Sequence, residues 1–177
     1  MPNRPSLSSR ERGFSLIELL IVVAIIGIIA AIAIPNLLAS KRAANEASAI
    51  STIRSLVSAE ITYSVTRGEG DFAVVGELVA AGLIDPSLGG DDATSVFSSK
   101  SGYEFKTTIS PRDADTGVAA SFVLSAKPLQ IALGRRTGSR RFGTDTPGAI
   151  FNDSENLDTH YETSASLTGG TSTGLSN

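Results

Sequence analysis

The longest apolar stretch of the chain lies near its N-terminus, at residues 14–34. Its 21 residues include one charged side chain, Glu18, close to the beginning. A helix rises about 1.5 Å per residue, so the stretch would be roughly 32 Å long, which matches a hydrocarbon core of about 30 Å. The pattern therefore predicts a membrane-spanning helix with one carboxylate that requires an explanation.

Apolar residues continue beyond Pro35 at helical spacing, but they now share the helix with polar residues. The apolar positions are Ala43, Ala47, Ile50, Ile53, Val57 and Ile61, and the opposite face carries Lys41, Arg42, Asn45, Ser48, Ser51, Ser55 and Ser58. This periodicity is typical of an amphipathic helix that rests on a globular body. We therefore predict one helix over residues 14–66, with a membrane-spanning part at 14–35 and an amphipathic part at 36–66, ended by Gly68-Glu69-Gly70.

The next segment predicts a short helix and two strands. Residues 77–81 form the helix, which Gly82 terminates. After a loop that begins at Asp85-Pro86, apolar and polar residues alternate over 103–109 and again over 120–126. Alternation of this kind is the pattern of a half-buried strand.

A further hairpin is predicted where residues 141–144 and 149–152 flank the sequence Thr146-Pro147-Gly148-Ala149. Pro followed by Gly suits the centre of a type II turn. From Asp153 to the C-terminus the chain is rich in Ser, Thr, Gly and Asn, which predicts a flexible polar tail over 153–177. The predicted fold class is α+β, with a long N-terminal helix, a small antiparallel sheet packed on its distal half, and a globular domain at 67–152.

Composition excludes several kinds of site. The chain has no Cys and one His, so a disulfide scaffold, a thiol nucleophile and a Cys-based metal site are absent, and His-based catalysis has little support. No nucleophile, base and orienting group occur together, so we predict neither an enzyme nor a cofactor. A net charge of −3 argues against attraction of the whole domain to nucleic acid.

Three local clusters of charged residues are candidate binding sites. The basic residues are Arg135, Arg136, Arg140 and Arg141 beside Phe142, and the acidic ones are Asp91 and Asp92, and Asp153, Glu155 and Asp158. The arginines could contact phosphates, and the carboxylates could bind calcium, but neither acidic group has EF-hand spacing. We interpret the three clusters as solvated loops and His160 as an exposed surface residue. We therefore expect no nucleic-acid partner.

Charges before the apolar stretch predict its orientation. Arg4, Arg10 and Arg12 stand against Glu11 alone, and such an excess keeps the N-terminus in the cytoplasm. A cleaved secretory signal peptide, with Ala31-Ile32-Ala33 as its cleavage motif, and a plain signal anchor are alternatives. Neither alternative explains a carboxylate inside the apolar stretch.

The sequence RGFSLIELLIVVAIIGIIAAIAIPN at residues 12–36 resembles the class III signal and N-terminal helix of type IV pilins and type II secretion pseudopilins. The resemblance implies that a prepilin peptidase cuts between Gly13 and Phe14, removes residues 1–13 as a leader peptide, and methylates the new N-terminus of Phe14. It also implies that Glu18 guides subunit assembly by pairing with the α-ammonium group of a neighbouring subunit.

Pro35 and Gly27 are candidate positions for a kink in the helix. Pro35 removes a backbone hydrogen bond and can kink the helix, and Gly27 is small enough for close helix packing and is the second candidate for a kink. The chain departs from the family in two respects. It lacks the disulfide that pins the C-terminal loop of many members, and Ser15 stands where Thr is commonest.

The sequence thus predicts a structural subunit of a type IV pilus, processed from a precursor and polymerised through its N-terminal helix. A pseudopilin of a type II secretion system is the alternative, and a membrane-anchored binding domain that never polymerises is a third reading. The expected partners are other pilin-like subunits, the prepilin peptidase, an inner-membrane assembly platform and, before assembly, the membrane itself. The expected location is the inner membrane with a single pass, and then a filament outside the cytoplasm.

Overall fold

The computed structural model describes residues 13–88, 94–131, 135–146, 148–155, 157–168 and 173–174. The chain forms two compact units, Met1–Ala39 and Ser40–Asn177. Helix α1 spans Leu16–Thr66 and belongs to both units. Its end coincides with the predicted one, and its first residue follows the predicted start by two positions.

In the first unit the helix has no core of its own. Every described residue from 13 to 39 is exposed except Ala30 and Leu38, which are half-buried. The helix is long and apolar enough to cross a membrane, and none of the residues in its apolar window is buried. An isolated amphipathic helix would have one apolar stripe, whereas this segment is apolar on all sides.

The second unit is built around a six-stranded antiparallel sheet. Its strands are β1 Phe97–Lys100, β2 Tyr103–Ser110, β3 Ser121–Pro128, β6 Arg141–Asp145, β7 Ile150–Asp153 and β8 Thr173–Gly174, in the spatial order β1-β2-β3-β6-β7-β8. Two short strands between β3 and β6, β4 Gln130–Ile131 and β5 Arg135–Arg136, pair with each other. Helices α2 Val75–Ala80 and α3 Ser164–Thr168 and a 3-10 turn at Pro86–Leu88 complete the unit.

One face of the sheet packs on the second-unit part of α1. Aromatic side chains of the strands meet small and aliphatic residues of the helix in one core. The core contains Ala49, Ile53, Leu56 and Ala59 from α1 and Tyr103, Phe105, Phe122, Leu124, Ala126, Phe142 and Ile150 from the sheet. Alternation along each strand places these residues on a single face, as the period of two requires.

Several predicted elements are confirmed. Strands β2 and β3 match the two predicted strands, and β6 and β7 form the predicted hairpin, with Gly148 at φ +83°. Helix α2 ends as predicted at Gly82, which has φ +71°. The amide of Gly82 donates to the carbonyl of Val79 and that of Leu83 to Leu78, the bonding pattern of a Schellman motif. Strand β1 was not predicted.

The buried face of α1 differs from the predicted one. Of the predicted positions, Ile53 is buried and Ile50 and Val57 are half-buried against the core, but Ala43, Ala47 and Ile61 are exposed. The other buried residues of the helix are Glu46, Ala49, Thr52, Leu56, Ala59 and Glu60. The helix is therefore rotated by about one residue position, or roughly 100°, from the prediction. The physical reason is that the bulky sheet residues require small neighbours, and the chain supplies polar partners for both buried carboxylates.

Glu46 is held by a segment more than ninety residues away in the sequence. Its carboxylate accepts hydrogen bonds from the backbone amide and hydroxyl of Ser139, at 2.8 and 2.6 Å, and from the guanidinium of Arg140, at 2.8 Å. Burial opposes the charge, but these donors outweigh it and lower the pKa of Glu46. A charged Glu46 thus fastens α1 to the loop before β6.

Glu60 has the opposite environment. It is fully buried, and one carboxylate oxygen accepts the backbone amide of Ala73 at 3.0 Å. Within the described residues the other oxygen, Oε1, has no hydrogen-bond partner. Burial, opposed by the hydrogen bond from Ala73 and helped by the nearby charge of Glu77, raises the pKa of Glu60 to about 7. The folded protein therefore favours the protonated form.

The opposite face of the sheet is covered by the C-terminal segment, defined here as the described residues 153–155 and 157–168. Tyr161 and Leu167 are buried and form a second cluster with Val123, with Phe151 packed against it. The prediction of a flexible polar tail from Asp153 is therefore wrong for these residues. Gly143 of β6 lies beneath Tyr161 and Leu167, and its lack of a side chain leaves room for both of them.

We predict that Gly143→Ala loosens the C-terminal segment. A β-carbon at Gly143 would lie 2.4 Å from Cδ2 of Tyr161 and 2.5 Å from Cδ2 of Leu167, so both side chains would have to move. Overpacking of this kind costs about 1–3 kcal/mol. Hydrogen exchange of the full-length protein in detergent should show reduced protection of the segment.

Gly174→Ala is the matched control for that change. The nearest atom to a β-carbon at Gly174 is Cε1 of Phe151 at 4.0 Å, so protection should remain within the equivalent of about 0.5 kcal/mol of the parent. Unchanged protection in Gly143→Ala would contradict the close packing described above.

A second prediction concerns the pH dependence of stability. The pKa of Glu60 is about 7 in the folded chain against an ordinary value of 4.5, so the folded state binds more protons between these values. The contribution of Glu60 to stability should therefore fall as the pH rises through this window, by at most about 1.4 kcal/mol per pH unit, and level off above it. Glu60→Gln, which is neutral at every pH, should lack this loss.

The measurement is denaturation of the full-length protein in detergent, followed by tyrosine signals. The chain has three Tyr and no Trp, and Tyr63, Tyr103 and Tyr161 all lie in the second unit. Glu77→Gln removes the neighbouring charge alone and should keep most of the wild-type slope. Identical slopes for wild type and Glu60→Gln would show that Glu60 does not titrate in this window.

Candidate processing and assembly site

The predicted cleavage residues lie immediately before helix α1. Gly13, Phe14 and Ser15 are exposed and precede the first helical residue, Leu16. The carbonyl of Ser15 accepts the amides of Glu18 and Leu19, at 3.1 and 3.2 Å, and so closes the first turn. A β-carbon at Gly13 would have no neighbour within 4 Å, so the chain itself imposes no requirement for glycine there. Any requirement must come from another molecule.

Glu18 lies in the first turn of α1 and is exposed. A carboxylate at this position interacts favourably with the helix dipole, for about 0.3–1 kcal/mol. Across the described part of the chain, no basic group lies within ion-pair distance of it. The dipole alone is small beside the cost of placing a carboxylate in hydrocarbon, about 2.5–3.5 kcal/mol near the centre and less near the interface.

Large apolar side chains surround Glu18 on all sides of the helix. Phe14 is 76% exposed and Leu16 81%, and the other large apolar residues up to Leu37 are at least 45% exposed. Each such side chain gains about 1.5–3 kcal/mol when it is removed from water, so the whole surface represents tens of kcal/mol. This helix therefore requires lipid or other helices around it.

Gly27 and Pro35 both lie inside α1, which is assigned without interruption through them. A β-carbon at Gly27 would meet no atom within 4 Å, so Gly27 does not fit against another part of this chain. A kink at either residue remains a prediction.

The basic cluster is mostly neutralised within the protein, which corrects its interpretation as a solvated loop. Arg141 is buried and pairs with Asp153 at 2.9 Å, with its guanidinium 4.0 Å from the ring centroid of Tyr161. Arg140 pairs with Glu46 and Arg136 with Asp158, at 2.8 and 2.6 Å. These pairings occupy the charges that a phosphate backbone would need.

The same pairings occupy two of the acidic residues considered for calcium, Asp153 and Asp158. Among the residues that the structure describes, no group of three or more His, Cys, Asp or Glu could hold a metal ion. Asp91 and Asp92 lie outside the described residues.

His160 is not the exposed surface residue that the sequence predicts, because it lies in a buried polar network. The side chain of His160 is only 5% exposed and contacts Ser125 Oγ at 3.0 Å and Glu104 Oε1 at 2.9 Å. Serine, histidine and glutamate in a row resemble a catalytic arrangement. Ser125 is buried, however, and its oxygen already accepts the amide of Tyr161 at 2.9 Å, so it is not available as a nucleophile.

Comparisons with known proteins concern the N-terminal part of the chain. The prokaryotic N-terminal methylation motif matches residues 8–34. The chain is 48% identical over 54 residues to the type IV major pilin protein PilA of Myxococcus xanthus, a match that covers 30% of this chain and 24% of that protein. It is 46% identical over 54 residues to the type IV wide pilus major component PilA4 of Thermus thermophilus, covering 30% and 41% of the two chains.

The type II secretion system core protein G of Pectobacterium carotovorum is also similar, with 41% identity over 56 residues, 32% of this chain and 36% of that protein. The match thus spans between about a quarter and two fifths of the length of these three relatives. No match to a solved structure reaches significance. In its methylation motif the chain is similar to type IV pilins and type II secretion pseudopilins.

Proposed function

We propose that this chain is a structural subunit of a type IV pilus, which is processed from a precursor and polymerises through helix α1. One observation carries the proposal: the first unit presents an apolar helix that buries none of its apolar window within its own chain. A simple anchor would use such a surface only in lipid. A filament subunit uses it twice, first in the membrane and then against the helices of its neighbours.

Processing takes place between Gly13 and Phe14, and Phe14 then carries the methylated N-terminus. The proposal is supported by the methylation motif, which includes both residues. It is also supported by the exposure of Gly13, Phe14 and Ser15 before the first helical turn, because an extended and accessible segment can enter a peptidase site. The cleavage site lies on the cytoplasmic side, where the excess of arginine before the apolar stretch keeps the N-terminus.

Glu18 sets the axial position of an incoming subunit. Cleavage creates an α-ammonium group on Phe14, about one helical turn from Glu18. Inside a subunit the two charges move together, but a neighbour offset along the filament axis can place its ammonium group beside this carboxylate. In a low-dielectric surrounding such a pair is attractive, and removing one charge leaves the other buried alone. The absence of an ion-pair partner for Glu18 among the described residues supports a partner from another subunit.

The second unit offers a further contact surface on α1. Ala43 and Ala47 are exposed, and Ile61 and Val65 are 52% and 80% exposed. These positions recur on one side of the helix, next to the face that the sheet covers. Small and aliphatic residues at these positions would allow neighbouring subunits to pack closely.

Before assembly the subunit resides in the inner membrane with its N-terminus in the cytoplasm, as the excess of arginine before the apolar stretch indicates. An assembly platform in that membrane then transfers it to the filament. Pro35 and Gly27 give the helix the adaptability that this transfer requires, because each weakens the regular backbone pattern locally.

A pseudopilus of a type II secretion system is the second candidate. The observation that favours it is the similarity to protein G of that system in several bacteria, including Pectobacterium carotovorum and Escherichia coli. Deletion of the gene separates the two. Loss of sheared surface filaments supports the pilus, and loss of protein secretion with filaments retained supports the pseudopilus.

The processing proposal predicts that Gly13→Ile accumulates as uncleaved precursor in the membrane. A peptidase that reads a small residue before the scissile bond cannot accommodate a β-branched side chain. We expect at least a tenfold decrease in the mature fraction, measured by immunoblotting and N-terminal sequencing. Gly13→Ala is the matched control and should be cut substantially better. A normal mature band from Gly13→Ile would contradict the assigned cleavage position.

The assembly proposal predicts that Glu18→Val inserts and is cleaved normally but enters filaments poorly. Loss of one member of a buried charge pair costs about 3–5 kcal/mol, so incorporation should fall by more than tenfold. Mutant subunit is quantified in membrane and sheared-filament fractions.

Two matched variants isolate the role of the charge at this position. Glu18→Gln keeps the shape and should behave like Glu18→Val, whereas Glu18→Asp keeps the charge and should retain more assembly. Wild-type incorporation of Glu18→Val would show that the carboxylate does not guide assembly, and only the local helix-dipole effect would remain.

A further inference from the structure

The C-terminal segment is attached to the outer face of the sheet without a covalent link, since the chain has no Cys. Among the described residues, its buried apolar side chains Tyr161 and Leu167 form a small cluster with Val123 and Phe151. Between these contacts and strand β2 lies the network of His160. The attachment therefore depends strongly on polar groups, whose strength changes with protonation.

The contacts of His160 define its protonation state. Ser125 Oγ accepts the amide of Tyr161, so the hydroxyl proton of Ser125 is available to donate to Nδ1 of His160. The other ring nitrogen, Nε2, faces the Glu104 carboxylate at 2.9 Å and must carry a proton to donate to it. The neutral ring protonated on Nε2 thus satisfies every group in the row from Tyr161 to Glu104.

A second proton on the ring disrupts this arrangement at Ser125. Nδ1 would then become a donor, and it would point at the same oxygen that already accepts the amide of Tyr161. The hydroxyl proton of Ser125 would have to turn to another acceptor inside a buried site. An unsatisfied buried donor is destabilising, and it arises at the residue that holds the backbone of Tyr161.

The surrounding charges and burial act on the same equilibrium. Glu104 favours the charged ring, but it is already paired with Lys127 at 3.1 Å. Lys106, which pairs with Glu162 of the C-terminal segment at 2.7 Å, adds a second positive charge. Burial, helped by the two lysines, outweighs the carboxylate and lowers the pKa of His160 below its ordinary value. The ring of Phe97 lies 5.9 Å from the imidazole centroid on the strand β1 side.

We propose that His160 is a pH-operated latch, which holds the C-terminal segment on the sheet at neutral pH and releases it on acidification. Release separates Tyr161 and Leu167 from Val123 and Phe151 and exposes an apolar patch on the outer face of the sheet. The latch involves the second unit alone and does not depend on the proposed filament function.

The sign of the pH effect follows from proton linkage. In the released state His160 has its ordinary pKa, near 6.5, so that state binds more protons than the latched state at pH values below about 6.5. The free energy of release therefore decreases as the pH falls through this window. The equilibrium changes by up to about tenfold for each pH unit, until the latched form is also protonated.

Hydrogen exchange of the full-length protein in detergent micelles, from pH 7.5 to 5.0 and corrected for intrinsic exchange rates, tests the latch. We expect protection of residues 157–168 to decrease by up to tenfold per pH unit below 6.5, while strands β2 and β3 remain protected. His160→Gln should show no such decrease, because its amide can donate to Glu104 and its carbonyl can accept from Ser125 at every pH. Gly143→Ala should lower protection by the same factor at all pH values and keep the wild-type pH dependence.

Since His160 is the only histidine of the chain, its ring can also be titrated directly by NMR without ambiguity. A pKa below 6.5, with the amide of Tyr161 shifting at the same midpoint, supports the latch even if His160→Gln fails to fold. A pKa at or above 6.5 overturns it. So does protection of the segment that is independent of pH in the wild type, or a pH dependence that persists in His160→Gln.

Discussion

A six-stranded sheet has two faces, and in the second unit both must be covered by segments that lie at opposite ends of the chain. Helix α1 covers one face with small and aliphatic residues beneath the aromatic side chains of the strands. The C-terminal segment covers the other with Tyr161 and Leu167. Antiparallel sheets can leave one face in water, but strands β3 and β6 here are buried on both. Polar contacts then fix α1 and the C-terminal segment on the two faces of the sheet.

Fixing α1 requires polar groups as well as apolar ones. Glu46 stays charged because Ser139 and Arg140 supply donors, whereas Glu60 has one amide donor and favours protonation. Both residues lie on the same face of the same helix, separated by about four turns. Identical side chains thus have pKa values shifted in opposite directions because their neighbours differ. Glu46 binds the loop before β6, and Glu60 binds the backbone amide of Ala73 in the connection to α2.

The elements that periodicity predicted best were those whose neighbours are local or whose pattern is strong. Strands β2 and β3 alternate clearly, Gly82 ends α2 through bonds within a few residues, and the apolar run of α1 requires no partner to be recognised. The face of α1 was predicted wrongly because the residues that make Glu46 suitable for burial are distant in sequence. Apolar residues alone indicated a face about one position away.

The tail was misjudged for a related reason. Composition averages over many Ser, Thr and Gly residues, whereas the attachment depends on Tyr161, Leu167 and the position of Gly143 under them. The partners of His160 could not be predicted from the sequence because Glu104 and Ser125 are distant from it along the chain. They lie on strands β2 and β3, on the face of the sheet opposite the core. The residues proposed for processing and assembly come from a local motif, since Gly13, Phe14 and Glu18 occur within six consecutive positions.

The hydrogen bonds between Glu46 and Ser139 join residues 93 positions apart, and this separation affects when the second unit can form. Contacts of such long range close a large loop before they gain any energy, so they form late and slowly. A ribosome releases the apolar helix long before it has synthesised β6 and the loop that binds Glu46. The membrane-spanning segment is thus available for insertion while the rest of α1 still lacks its sheet. Because the chain is synthesised in this order, the apolar part of α1 is complete before the strands that cover the second part of the helix.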